Sequence, residues 1–133
     1  MKLTAKARYA LRILLDIAQN ATEEKPRTLK EISESQAIGE KFVSRLVLNL
    51  RDAGMVTAAR GREGGYRLAK APKDISLLEI IEAAQGPICV VECLGEKTCE
   101  RAPACAPKLI WGDVNEAIRS SLRNVTLKKV LSK

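Results

Sequence analysis

The sequence predicts a mainly α-helical fold with one small β-hairpin. Three observations carry that expectation. Apolar residues recur at helical spacing near both ends of the chain, two Thr/Ser-x-x-Glu capping boxes each open a helix, and a Gly-rich turn separates two short β-capable runs.

Taken in order, Leu3, Ala7, Ala10, Leu11, Leu14 and Ala18 share one face of a helix over residues 3–19, with Lys6, Arg12 and Asp16 elsewhere on the wheel. A polar linker runs from Asn20 to Pro26. Thr28-Leu-Lys-Glu31 is a capping box that starts a short second helix through Ser35. Ala37-Ile-Gly39 makes a tight turn, and residues 40–53 form a third helix with Val43, Leu46, Val47 and Leu50 on its apolar stripe, ended by Gly54. Residues 55–60 and 66–70 flank Gly61-Arg-Glu-Gly-Gly65 and read as a hairpin. Ser76-Leu-Leu-Glu79 opens a helix through about Ala84, stopped at Gly86-Pro87. After a Gly- and Pro-containing stretch, Ile110, Val114, Ala117, Ile118 and Leu122 repeat at helical spacing over residues 108–123, and Thr126 can cap a last turn.

Two helices joined by a tight turn and followed by a two-stranded hairpin is the order of a winged helix-turn-helix. In that arrangement the third helix enters the major groove and the hairpin, or wing, reaches phosphates or the minor groove. Lys41, Ser44 and Arg45 are the candidate base readers; Arg60, Arg62 and Tyr66 are the candidate wing contacts. Charge agrees with a polyanionic partner. Residues 1–72 carry fourteen Lys/Arg against eight Asp/Glu, residues 73–133 nine against eight, and the span 41–70 seven against two. Aromatic content of 3% excludes a base-stacking platform for single strands, so the expected partner is double-stranded DNA.

The 46% hydrophobic and 29% charged composition argues against disorder. No apolar run approaches a bilayer span, and Arg12 and Asp16 interrupt any signal-peptide core, so no membrane association and a cytoplasmic location are expected. In that reducing compartment clustered cysteines lean toward metal or redox work. Cys93, Cys99 and Cys105 stand at even x5 spacing, with Cys89 just before them and no cysteine elsewhere. Soft thiolates gathered in one loop suit an iron–sulfur cluster, the two-iron form ranked ahead of the four-iron form. Zinc is the alternative, although the paired C-x2-C knuckles of structural zinc sites are missing. Neither an enzyme nor a small-molecule substrate is expected. The chain has no histidine, shows no nucleophile–base pairing, and Gly61–Gly65 lacks the Gly-Lys-Ser/Thr ending of a phosphate loop.

Taken together, MKLTAKARYALRILLDIA, LKEISESQAI, RGREGGYRLAK, the three spaced cysteines, WGDVNEAI and NVTLKKVL resemble the iron–sulfur transcriptional regulators of the IscR and NsrR type over nearly the whole chain. The resemblance implies a homodimeric winged-helix repressor or activator, with residues 1–72 as the DNA-binding region. Residues 73–133 would hold the sensor loop and a long dimerisation helix at 108–123. It also implies Cys93, Cys99 and Cys105 as cluster ligands. The sequence departs from the pattern at the fourth ligand. Lys108 stands where IscR-type proteins have a histidine, and Arg8 where NsrR-type proteins have an aspartate. Cys89 is the first candidate to replace them, ahead of Glu92, Glu96, Glu100, Asp113, a water or a small thiol. The expected function is a DNA-binding regulator whose affinity a cluster controls; the alternative is a zinc-stabilised or thiol-switching regulator, and a pure interaction module stands third.

Overall fold

A computed structural model describes residues 2–60, 64–91 and 106–133. Six α-helices and one hairpin appear among them: α1 (Ala5–Asn20), α2 (Leu29–Gln36), α3 (Glu40–Asp52), β1 (Val56–Ala58), β2 (Tyr66–Leu68), α4 (Leu77–Gln85), α5 (Ala106–Arg123) and α6 (Leu127–Leu131). The fold is a mainly helical winged helix-turn-helix with an added helical layer from α4 to α6.

The caps form as their residue types dictate. Thr28 accepts from the Glu31 N–H at 3.1 Å while the Glu31 carboxylate accepts from the Thr28 N–H at 3.1 Å. Ser76 and Glu79 repeat the arrangement at α4, and Thr4 and Thr126 cap α1 and α6. The caps of α4 and α6 also pair with each other: Leu77 N–H donates to Val125 O at 2.8 Å and Leu127 N–H to Ile75 O at 2.9 Å. This fastens α6 beside α4 and buries Leu127 completely.

One core serves the described residues. Ala7, Ala10, Ile13, Leu14 and Ile17 of α1 meet Ile32 of α2, Val43, Leu46, Val47 and Leu50 of α3, and Leu78, Ile80 and Ile81 of α4. The α3 stripe is the one its periodicity predicts. The α1 face is rotated from the expected one. Ile13 and Ile17, which the expected face omitted, are buried alongside Ala10 and Leu14, Leu3 lies before the cap and is exposed, and Asp16 is buried rather than turned outward. A buried carboxylate persists only where donors meet it. Arg27 Nε and Gln36 Nε2 do so at 2.7 and 3.0 Å.

The wing strands pair antiparallel with Val56 opposite Leu68 and Ala58 opposite Tyr66. A third segment joins them, as Arg27 N–H donates to Tyr66 O at 2.9 Å and Tyr66 N–H to Arg27 O at 2.8 Å. Gly65 allows that approach. At its φ of +148° a Cβ would lie 2.9 Å from the Arg27 carbonyl oxygen and 3.0 Å from Pro26 Cβ. Gly65→Ala is therefore expected to cost about 1–3 kcal/mol and to lift the wing from Arg27, since backbone atoms cannot step aside as a flexible side chain would. Thermal unfolding together with DNA affinity checks it.

Helix α5 departs most from its reading as one stripe. Ile118 and Leu122 pack on the core, whereas Ile110, Val114 and Ala117 turn outward at i, i+4 and i+7. Leu109, Ile110, Trp111 and Val114 are 75, 62, 44 and 40% exposed, the main group of exposed large apolar side chains among the described residues.

Candidate nucleic-acid interface and cysteine segment

Burial of Val43, Leu46, Val47 and Leu50 forces the opposite face of α3 into solvent. Lys41, Arg45 and Leu48 occupy it at i, i+4 and i+7, all exposed, with Ser44 half-buried at its margin. The three expected readers therefore share one accessible face. Leu48, 45% exposed, was not among the expected readers, although its spacing from Lys41 and Arg45 marks it in the sequence. Glu40 and Lys30 flank the same side. Both lie in the first turn of their helices, α3 and α2, and with Thr28, Leu29, Gly65 and Tyr66 they line a 440 Å³ cleft between wing and helices.

On the wing, Arg60 is exposed just after β1 and Tyr66 is half-buried at the start of β2. Arg67, exposed opposite Thr57, adds a charge there that the sequence reading did not single out. Arg62 lies outside the described residues.

Behind this surface runs a polar network. Asp16 accepts from Arg27 and Gln36; Arg27 also donates to Glu31 at 3.1 Å, and Gln36 accepts from Arg12 Nε at 3.2 Å. The Arg12 guanidinium lies 5.3 Å from the centre of the Tyr9 ring, which meets Phe42 of α3 edge-on at 5.6 Å. Burial pushes the Asp16 carboxyl up, but hydrogen bonds from Arg27, Gln36 and Ser35 outweigh it and hold the group below its ordinary 3.8. Hydrogen bonding by the Thr28 backbone and hydroxyl likewise lowers Glu31 from 4.5. A carboxyl depressed in the fold stabilises it above the unfolded value, and that contribution disappears as pH falls through the folded value. Stability is therefore expected to be level near neutrality and to drop as pH falls below about 4, with a shallower drop in Asp16→Asn. Denaturant unfolding across pH checks both statements.

Cys93, Cys99 and Cys105 lie outside the described residues, as do Glu92, Glu96 and Glu100. The described chain on both sides of them is firmly placed. Ile88 N–H donates to Glu82 Oε2 at 3.2 Å and Val90 N–H to Asn115 Oδ1 at 2.9 Å, so Cys89 sits half-buried on the seam of α4 and α5. Arg119 closes the seam through two hydrogen bonds to Glu82 at 2.8 and 3.3 Å. That bonding raises the guanidinium above its ordinary value, burial opposes it, and Coulombic attraction from Glu82, Glu116 and the nearby Cys89 adds to the rise. Lys108 is half-buried and Asp113 exposed on α5, and Arg8 is exposed on α1. Among the described residues no three Cys, His, Asp or Glu side chains gather as a metal site. No described helix is long and apolar enough to cross a membrane.

A helix-turn-helix with a basic outward helix, followed by a Gly-hinged wing, defines a winged-helix DNA-binding protein. The family described as Rrf2, iron-dependent transcriptional regulators, matches residues 3–133, and the chain belongs to it. It is thus a transcriptional regulator, not an enzyme. The protein rrf2 of Nitratidesulfovibrio vulgaris is 36% identical over 132 residues, covering 98% of this chain and 87% of that protein. The HTH-type transcriptional regulator IscR of Aliivibrio salmonicida is 36% identical over 131 residues, covering 98% of this chain and 77% of IscR. The solved structure of CymR, the global cysteine regulator of B. subtilis, aligns with a TM-score of 0.78 at 33% identity, over 99% of this chain and 97% of CymR.

Proposed function

We propose that this regulator acts as a homodimer in the cytoplasm, reads DNA through α3 and the wing, and has its DNA affinity controlled by an iron–sulfur cluster on the cysteine segment. The observation that carries the DNA reading is the outward face of α3, where Lys41 and Arg45 stand together opposite the core stripe on a helix that packs against β1 of the wing. Arg45 suits a guanine edge, Ser44 either partner of a base pair, and Leu48 a thymine methyl. Arg60, Arg62, Arg67 and Tyr66 suit phosphates or the adjoining minor groove.

Residues 1–72 form the DNA-reading part and residues 73–133 the sensing and pairing part. The two share a core, so this division is functional rather than a break in packing. A second copy of the chain is the partner we assign to the apolar face of α5, since two such faces related by a two-fold axis would bury Ile110, Val114 and Ala117 against each other.

The donor chemistry fits the cluster. Cys93, Cys99 and Cys105 are soft thiolates at regular spacing, and the chain offers no imidazole. These three would hold the group, with Cys89 the candidate fourth ligand, placed at the edge of the segment by Glu82 and Asn115. When bound, a cluster would supply one-electron redox chemistry and a dependence on iron that thiols alone lack. The chain's own part is transmission. The segment between Val91 and Ala106 joins the α4–α5 seam, α4 packs along α1, and α1 packs on α3. A change that favours one setting of that seam alters DNA affinity by its differential stabilisation of the two settings.

The likeness to CymR, a cysteine regulator, supports a second reading in which the same cysteines switch as thiols or hold zinc without a cluster. DNA binding is tested on duplexes selected from a random pool. Their affinity should fall with salt at a log–log slope of about −0.9 per phosphate neutralised, and a slope near zero contradicts the basic surface. Arg45→Ala should weaken the selected site by roughly ten- to a hundred-fold and relax its sequence preference at one base pair, as anisotropy titrations on matched and mismatched duplexes will show.

A further inference from the structure

We infer that the buried Asp16 carboxylate is a positioning residue for DNA binding, holding the root of the recognition helix through Gln36 and the root of the wing through Arg27. This rests on the DNA reading proposed above. Asp16 is the one buried charged residue among those described, and its two oxygens serve different elements. Oδ2 takes the Gln36 amide at 3.0 Å, and Gln36 ends α2 immediately before the Ala37–Gly39 turn into α3. Oδ1 takes Arg27 Nε at 2.7 Å, and the backbone of Arg27 pairs in both directions with Tyr66, the first residue of β2. The two surfaces expected to touch DNA therefore meet behind the interface at a single side chain.

The rest of the network stiffens both branches. Arg12 donates to the Gln36 side-chain and main-chain oxygens, and Glu31 holds the far side of the Arg27 guanidinium. Asp16 itself has no exposed side-chain surface, so it cannot touch DNA. If it served stability alone, apolar packing of similar volume would serve as well, since a buried ion pair is weak evidence for stability. What apolar packing would not supply is a fixed direction for two separate elements, because hydrogen bonds are directional.

The test is a set of double-mutant cycles on operator affinity. Arg45→Ala reports the helix contact and Arg60→Ala the wing contact, each in wild-type and Asp16→Asn backgrounds, at a temperature where circular dichroism shows every variant folded. Asp16→Asn keeps the size but replaces one acceptor oxygen by an amide NH2 that faces a donor. It should weaken binding about ten-fold and lower the salt slope, and both Arg substitutions should cost less in its background than in wild type. Should Asp16→Asn fail to fold, the branches are cut singly. Gln36→Ala should couple to Arg45→Ala but not to Arg60→Ala, and Arg27→Lys the reverse. Undiminished, additive penalties in these backgrounds would show that Asp16 only stabilises the fold and would overturn the inference. If Arg45→Ala and Arg60→Ala leave wild-type affinity unchanged, the DNA-surface reading falls first and this inference with it.

Discussion

Val114→Glu is expected to turn a dimer into a folded monomer. Val114 lies on the outward face of α5 between Ile110 and Ala117, where it touches none of the core. The residues that fasten α5 to the rest of the chain, Asn115, Arg119 and Leu122, project to a different side, and Ile118, one turn on from Val114, stands at the boundary between the two. A carboxylate placed in a paired apolar seam cannot find a counter-charge there, and its desolvation opposes association. A loss at the centre of such an interface is about 2 kcal/mol or more, so the dimer should weaken about 30-fold or further. Because a dimer binds two half-sites at once, operator affinity should fall with it, while the melting curve of the monomer changes little. Sedimentation and anisotropy on the same samples measure both quantities. A variant that remains dimeric would remove α5 from the interface.

The second large effect is expected at the cysteines. Replacing Cys93, Cys99 or Cys105 singly by Ala should abolish the visible chromophore and the iron content while leaving the helical signal and the dimer intact. Among the described residues, those of α1, α3 and α4 already form a continuous buried core. Cys89→Ala asks a different question. As the fourth ligand it should be needed for a stable chromophore; as a packing residue on the α4–α5 seam, its loss should lower the melting temperature and leave the spectrum in place. Full absorption in any of the first three variants would contradict the ligand assignment.

Where local rules decide the structure, the sequence is easy to read. Both capping boxes form with their reciprocal hydrogen bonds, and Gly54 and Gly86 end α3 and α4 in positive-φ conformations. The α3 stripe, and therefore the residues on its outward face, follows from 3.6-residue periodicity alone. Asp16 was misread because the donors that make its burial possible, Arg27 and Gln36, lie eleven and twenty residues away in the chain, beyond any periodicity argument. The pairing of Arg27 with Tyr66 escaped for the same reason. The apolar residues of α5 were legible as a set, but a set wide enough to cover two faces cannot say which face meets the core and which a partner. The even spacing of the three cysteines marks them as candidate ligands, whereas a fourth ligand would depend on tertiary placement, and Lys108 and Arg8 remove the two positions by which the resemblance would have named it.

The central claim is that the cysteine segment holds an iron–sulfur cluster, and purification without oxygen followed by absorption and by iron, sulfide and zinc analysis tests it most directly. The account predicts a coloured protein with iron and acid-labile sulfide in equal amounts and no stoichiometric zinc. A colourless protein, whether it carries one zinc per chain or no metal at all, would contradict it.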